Sequence, residues 1–176
     1  DDGCVYCLSA NDGALIWKYH PGEGNRILPG NERMISIWPV RAGMIVDEGK
    51  VYFSVGLFPK EGAYLVAVDA KDGSEVWKQQ ILTSDGQAGA ERASMSGQGY
   101  MLSSAERLYV PAGRVPPMVF AKDDGKYFGA IYGVGAGYAG TYALLTTEGL
   151  VSGPGGYLKG LHIADTKAIK DTIAVF

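Results

Sequence analysis

The chain has 176 residues, 47% of them hydrophobic, with 26 Gly, 11 Tyr and a net charge of −3. That is enough for one globular domain with a real core. No Lys/Arg run forms a phosphate-tracking stripe and no apolar stretch nears the roughly 20 residues of a membrane helix, which argues against a nucleic-acid partner and a transmembrane segment.

In chain order, Asp1-Asp2-Gly3 reads as a turn leading into a strand, with no signal peptide at residue 1. This opening looks like the middle of a repeat, expected of a processed chain or a fragment. Cys4 and Cys7 form a C-x-x-C pair. A redox pair is expected at a helix start, and a zinc site needs further ligands. Cys4–Leu8 instead reads as a strand, in which residues three apart face opposite ways. His20 and His162 are isolated, so the cysteines are expected to be half-buried strand thiols.

Leu8–Lys18 (LSANDGALIWK) returns sixty positions later as Val68–Lys78 (VDAKDGSEVWK). In each, an Asp-Gly turn joins two apolar strands and a Trp-Lys pair closes the second. A hairpin recurring at this period signals stacked units. Between the copies lies the least repetitive segment, residues 25–41, a connection with Arg26, Arg33, Arg41 and Trp38. Arg and Trp together on an exposed loop suit a binding hot spot or an anion site. Ties between loop and blade are the plainer reading.

A second element begins at Gly43–Gly56, with strands flanking a Glu48-Gly49 turn. It recurs at Tyr100–Gly113 and Tyr142–Gly155. The two elements alternate: residues 43–56 with 63–78 form a four-stranded meander, and residues 100–113 with 117–129, turning at Asp123-Asp124-Gly125, form another. Residues 142–155 open a third. Around the second copy, Arg92, Gln98, Tyr100 and Arg114 repeat the rim composition of residues 25–41. Gly133–Gly137 lacks the context of a nucleotide loop and reads as an inter-blade connection. Asp165–Asp171 is the best helical candidate and reads equally as a hairpin turn.

Such a meander cannot bury both of its faces alone. Stacking the sheets about an axis does so, and the resulting fold is a β-propeller. The expected architecture is all-β, with four-stranded antiparallel blades and about three and a half of them here: a half blade over 1–20, blades over 21–80 and 81–129, and a degenerate or partial blade over 130–176.

Val5–Gly13 with Trp17, and Leu65–Gly73 with Trp77, resemble the pyrroloquinoline-quinone-like (PQQ-like) propeller repeat, V-Y-A-L-D-A-x-x-G-x-x-x-W. Phe120–Gly125 is a degraded copy in which Gly129 takes the Trp position, and Ile163–Asp165 retains little of it. The resemblance implies a ring of about seven or eight blades, with Trp17 and Trp77 as structural residues docking neighbouring blades. It also implies partner surface: a protein partner, or the remaining blades of the ring, supplied by homodimerisation in one arithmetic solution. The chain is similar as well to the outer-membrane-assembly lipoprotein class, which implies a periplasmic or otherwise extracytoplasmic location.

Quinoprotein dehydrogenases of this family carry a disulfide between adjacent cysteines and a calcium ion held by Glu, Asn and Asp. This chain has no adjacent cysteine pair, and Asp12, Asp47, Glu48, Asp72, Asp123 and Asp124 lie in hairpin turns that favour them. G-x-S-x-G and H-E-x-x-H motifs are absent. The expected function is therefore a noncatalytic scaffold presenting inter-blade loops, with no catalytic residues, cofactor or metal. Its candidate binding residues are Arg33, Trp38, Arg41, Gln98 and Arg114. The alternatives are part of a PQQ- and calcium-dependent oxidoreductase and a sensor for a small anion or sugar.

Overall fold

The structure is a computed structural model. It describes residues 2–22, 24, 26–30, 32–57, 61–83, 93–94, 96–113, 117–130, 142–147, 149–152, 162–164 and 172–175. The helical candidate at 165–171, the Gly133–Gly137 connection, Arg92 and Arg114 lie outside these residues. The chain divides into two compact units, Asp1–Ser96 and Gly97–Phe176.

Every named element is a strand. The first unit contains β1 (Val5–Leu8), β2 (Leu15–Tyr19), β3 (Ile27–Gly30), β4 (Arg33–Ser36), β5 (Ala42–Gly43), β6 (Ile45–Asp47), β7 (Lys50–Val55), β8 (Tyr64–Asp69), β9 (Glu75–Gln80), β10 (Leu82–Thr83) and β11 (Ala93–Ser94). The second contains β12 (Gly99–Tyr100), β13 (Leu102–Ser103), β14 (Arg107–Val110), β15 (Met118–Ala121), β16 (Tyr127–Ala130), β17 (Ala143–Leu145), β18 (Leu150–Ser152), β19 (His162–Ala164) and β20 (Thr172–Val175). Strands β6–β9, β13–β16 and β17–β20 form three four-stranded antiparallel meanders, and β1–β2 form a hairpin.

The repeats align residue by residue in the strand registers. Ile45 pairs with Tyr52, Leu102 with Tyr109, and Leu144 with Val151, as shifts of 57 and 42 require. Each second-half hairpin also carries one bulge at the same place, between Cys7/Leu8, Ala67/Val68, Val119/Phe120 and Ile163/Ala164. Opposite the residue before the bulge stand Trp17, Trp77, Gly129 and Ala174 in turn. The bulge turns the following strand so that Trp17 and Trp77 are buried, while the extra residues Ile16, Val76 and Phe128 remain exposed.

The turns are equally uniform. Gly13, Gly73 and Gly125 have φ of 74°, 75° and 71°, a left-handed conformation that glycine adopts without Cβ strain. In each turn the carboxylate one residue before the glycine accepts a backbone N–H: Asp12 from Ala14 (3.1 Å), Asp72 from Ser74 (2.9 Å) and Asp124 from Lys126 (2.8 Å). These acidic side chains thus complete their own turns. Glu48 and Gly49 both have positive φ, 47° and 74°, which matches the right-handed twist of the two-residue hairpin they close.

Within the first unit, Val5 and Trp17 of the hairpin pack on Val51, Phe53, Val55, Val66 and Val68 of the neighbouring meander. The Trp17 indole N–H donates to the Ala70 carbonyl at 3.0 Å, and the Tyr19 hydroxyl donates to the Glu75 carboxylate. Strands β7 and β8 are buried along almost their whole length. Within the second unit, Tyr109 and Val119 of one meander form a cluster with Leu150 of the next. By register these two joints are equivalent: the face bearing the Trp position of one sheet meets the opposite face of the following sheet.

Candidate interaction rim

Between β2 and β5 the described residues include the β3–β4 hairpin, with Ile27 opposite Ser36, Leu28 opposite Ile35, Pro29 opposite Met34 and Gly30 opposite Arg33. The sequence reading of residues 25–41 as a connection misses this hairpin. Pro29-Gly30-Asn31 between Ile27-Leu28 and Met34-Ile35 is the signal for it: a turn-forming cluster flanked by apolar pairs.

The base of the hairpin is fixed by Trp38, which is 6% exposed. Its indole N–H donates to the Glu61 carbonyl at 3.2 Å, and its backbone N–H donates to Ser36 Oγ at 3.1 Å. The Arg26 guanidinium lies 5.9 Å from the Trp38 ring centroid and pairs with Glu61 at 2.7 Å. Gly22 lies under the ring, where a Cβ would stand 2.1 Å from the indole, so no larger residue fits without displacing Trp38. Trp38, expected as a binding residue, is thus buried, with the partly exposed Arg26–Glu61 pair beside it.

The outer part of the hairpin is open. Pairing puts Ile27, Pro29 and Met34 on one face; Ile27 is 48% and Met34 53% exposed. Arg33 is exposed at the tip, beside Glu32 with φ 62°. Arg41 is exposed one residue beyond Val40, which bridges to Val55. Arg33 and Arg41 are exposed residues, and Ile27, Pro29 and Met34 add apolar surface that the sequence reading did not single out.

In the second unit, Gln98 is half-buried. Its N–H donates to the Pro111 carbonyl at 2.8 Å, and it bridges Ala112. Its amide lies against Gly113, which has a φ of 74°.

Both cysteines are free and partly buried. The Cys4 thiol is pushed up by burial and by the Asp2 carboxylate, the opposite of what activates a nucleophile. Cys7 packs against the first core. Among the described residues no group of three His, Cys, Asp or Glu side chains is placed to hold a metal ion. No helix among them is long and apolar enough to cross a membrane.

A family model described as outer membrane protein assembly factor BamB matches residues 1–127. The chain belongs to this family. It is a PQQ-like propeller chain, and its fold is a partial β-propeller. Over 73 residues it is 41% identical to the quinohemoprotein alcohol dehydrogenase ADH-IIG of Pseudomonas putida, a match covering 42% of this chain and 9% of that protein. The fold is similar to the solved quinohemoprotein alcohol dehydrogenases of Comamonas testosteroni (TM-score 0.65, 15% identity) and Pseudomonas putida HK5 (TM-score 0.62, 16% identity). Each of these matches covers 99% of this PQQ-like chain and 32% of the dehydrogenase chain, so this chain spans about a third of their length. BamB from Moraxella catarrhalis aligns with a TM-score of 0.46 and 13% identity, over 99% of this chain and 58% of that one.

Proposed function

We propose that this chain is a noncatalytic segment of a PQQ-like propeller that works outside the cytoplasm and docks a protein partner through the β3–β4 hairpin. The observation that carries this reading is the contrast within that hairpin. Its base is immobilised by Trp38, Gly22 and the Arg26–Glu61 pair, while Ile27, Met34, Arg33 and Arg41 are left exposed. A rigid support presenting apolar groups beside arginines is the composition of a binding hot spot. The family's description, an assembly factor for outer membrane proteins, supports a docking role over turnover.

The test is site-specific photo-crosslinking from position 34 in the source cells, with the adduct identified and its affinity then measured. Met34→Asp and the Arg33→Ala/Arg41→Ala pair are expected to weaken that complex about tenfold or more while the melting temperature stays within about 2 °C. If affinity is unchanged in both variants, the rim is not the docking site.

A second reading, part of a quinone-dependent oxidoreductase, draws on the 41% identity to the alcohol dehydrogenase. It predicts a visible chromophore and alcohol-dependent dye reduction after addition of pyrroloquinoline quinone and calcium. The docking reading predicts neither.

A further inference from the structure

The backbone of the β3–β4 hairpin has one edge closed to a further strand and one edge open. The Ile37 N–H donates to the Arg26 carbonyl at 3.1 Å. Antiparallel pairs alternate between residues bonded to each other and residues whose N–H and C=O point outward. Counted from Arg26–Ile37 in the hairpin register, Leu28–Ile35 and Gly30–Arg33 bond inward, while Ile27–Ser36 and Pro29–Met34 point outward. On β3 the outward position near the tip is Pro29, which has no N–H. On β4 it is Met34, which offers both an N–H and a C=O. Among the described residues no strand pairs with this edge of β4.

Other edges of the same unit are guarded. Strands β2 and β9 each carry a bulge and a lysine, Lys18 or Lys78. Bulges, lysines and prolines are means of keeping an edge from pairing. Strand β3 has its proline, whereas β4 has neither proline nor bulge. The base of β4 is covered: Ser36 is buried, and a Cβ on Gly3 would stand 2.4 Å from Ser36 Oγ. The opening is therefore the outer half of the strand, around the exposed Met34.

The side chains beside this opening set what fits it. Residues directly opposite each other in an antiparallel pair share a face. A strand added to β4 therefore sets one side chain beside Met34, on the apolar face formed with Ile27 and Pro29. Its neighbours in sequence fall on the other face, with Arg33 and Ile35. An apolar side chain matches the surface at Met34. A carboxylate matches the charge of Arg33, which is exposed at the tip.

We infer that the edge of β4 at Met34 takes up an extended segment of the protein partner as a third, antiparallel strand, with an apolar residue opposite Met34 and an acidic residue opposite Arg33. The inference rests on the docking role of this hairpin and adds its mode. Main-chain bonds at Met34 hold the segment, and the alternation of acidic and apolar residues selects it.

The probe is the end-blocked peptide Glu-Val-Glu-Val-Glu-Val-Glu, with the corresponding Lys-Val peptide as the charge-reversed control. At saturating Glu-Val peptide, amide hydrogen exchange at Met34 is expected to slow by about tenfold or more, while exchange at Ile27 on the β3 edge is unchanged. Met34→Pro removes the outward N–H and, like Pro29 opposite it, spares the inner bonds. It is expected to fold and to bind the peptide about tenfold or more weakly, read by fluorescence anisotropy, while Met34→Leu stays within about twofold. No slowing at Met34, equal slowing at Ile27, equal affinity for the Lys-Val peptide, or equal binding by the Pro and Leu variants each overturns the inference. The cross-linked complex separates the two readings. If Met34→Asp weakens it and Met34→Pro does not, docking stands and strand addition fails; if neither variant weakens it, the docking site itself is lost.

Discussion

Gly13 and Gly73 occupy the same turn with the same left-handed φ, but their surroundings differ. A Cβ on Gly13 meets nothing within 4 Å, whereas one on Gly73 stands 2.7 Å from the Trp17 ring. Gly13→Ala is therefore expected to cost only the left-handed strain, about 1–2 kcal/mol. Gly73→Ala adds overpacking against the indole, a further ~1–3 kcal/mol. Urea unfolding of the two variants measures the difference, and equal losses would mean that Trp17 does not rest on Gly73.

Tyr19 carries a pH dependence. Burial, then its hydrogen bond to Glu75, hold the Tyr19 hydroxyl above its ordinary pKa of 10.0. The unfolded chain releases that proton first as pH rises, so the contribution of Tyr19 is complete below about pH 10 and is lost above it. Tyr19→Phe is expected to flatten the alkaline fall in stability between about pH 9.5 and 11.5, read as the urea midpoint at each pH. An unchanged slope would show that the hydroxyl is not shielded.

Among the elements, the joint between β1–β2 and the β6–β9 meander has Trp17 at its centre, beside Tyr19 and Phe53. Trp17 is 8% exposed and hydrogen-bonded across the joint. Trp17→Ala is expected to destabilise the protein by about 3–5 kcal/mol, measured by chemical unfolding. A loss below ~1 kcal/mol would show that the joint closes without the indole. Trp77, also 8% exposed with its ring 6.0 Å from that of Tyr52, is proposed as a second docking residue of this kind.

The strands of these sheets were legible because two signals coincide in the sequence, apolar alternation and a turn that demands Asp-Gly or Glu-Gly. The first-half copy at residue 100 keeps the strand pattern without the Glu-Gly pair, the copy at residue 142 carries it as Glu148-Gly149, and both registers align with that of the first copy. The β3–β4 hairpin had no second copy to reveal it and was read only as composition. The burial of Trp38 was illegible for a different reason. It depends on Gly22 and on Glu61, which lie 16 and 23 positions away in the sequence, and no local pattern encodes such a contact. Arginine and tryptophan together on a loop therefore do not separate the buried Trp38 from the exposed Arg33 and Arg41.

For the whole molecule, fold and function stand at different depths. The repeat reaches the fold directly, since each sheet needs neighbours and the family match spans most of the chain. It does not reach the activity, because the matches include both a dehydrogenase and an assembly-factor family, and a shared fold does not carry one function. The repeat also distributes strength unevenly. At the place in the C-terminal pair of sheets where an indole wedges the N-terminal pair together, Gly129 offers a hydrogen atom. Denaturant is therefore expected to loosen that later seam first, read as faster amide hydrogen exchange in β14 and β15 than in β7 and β8; equal protection would show that the indole does not set the order.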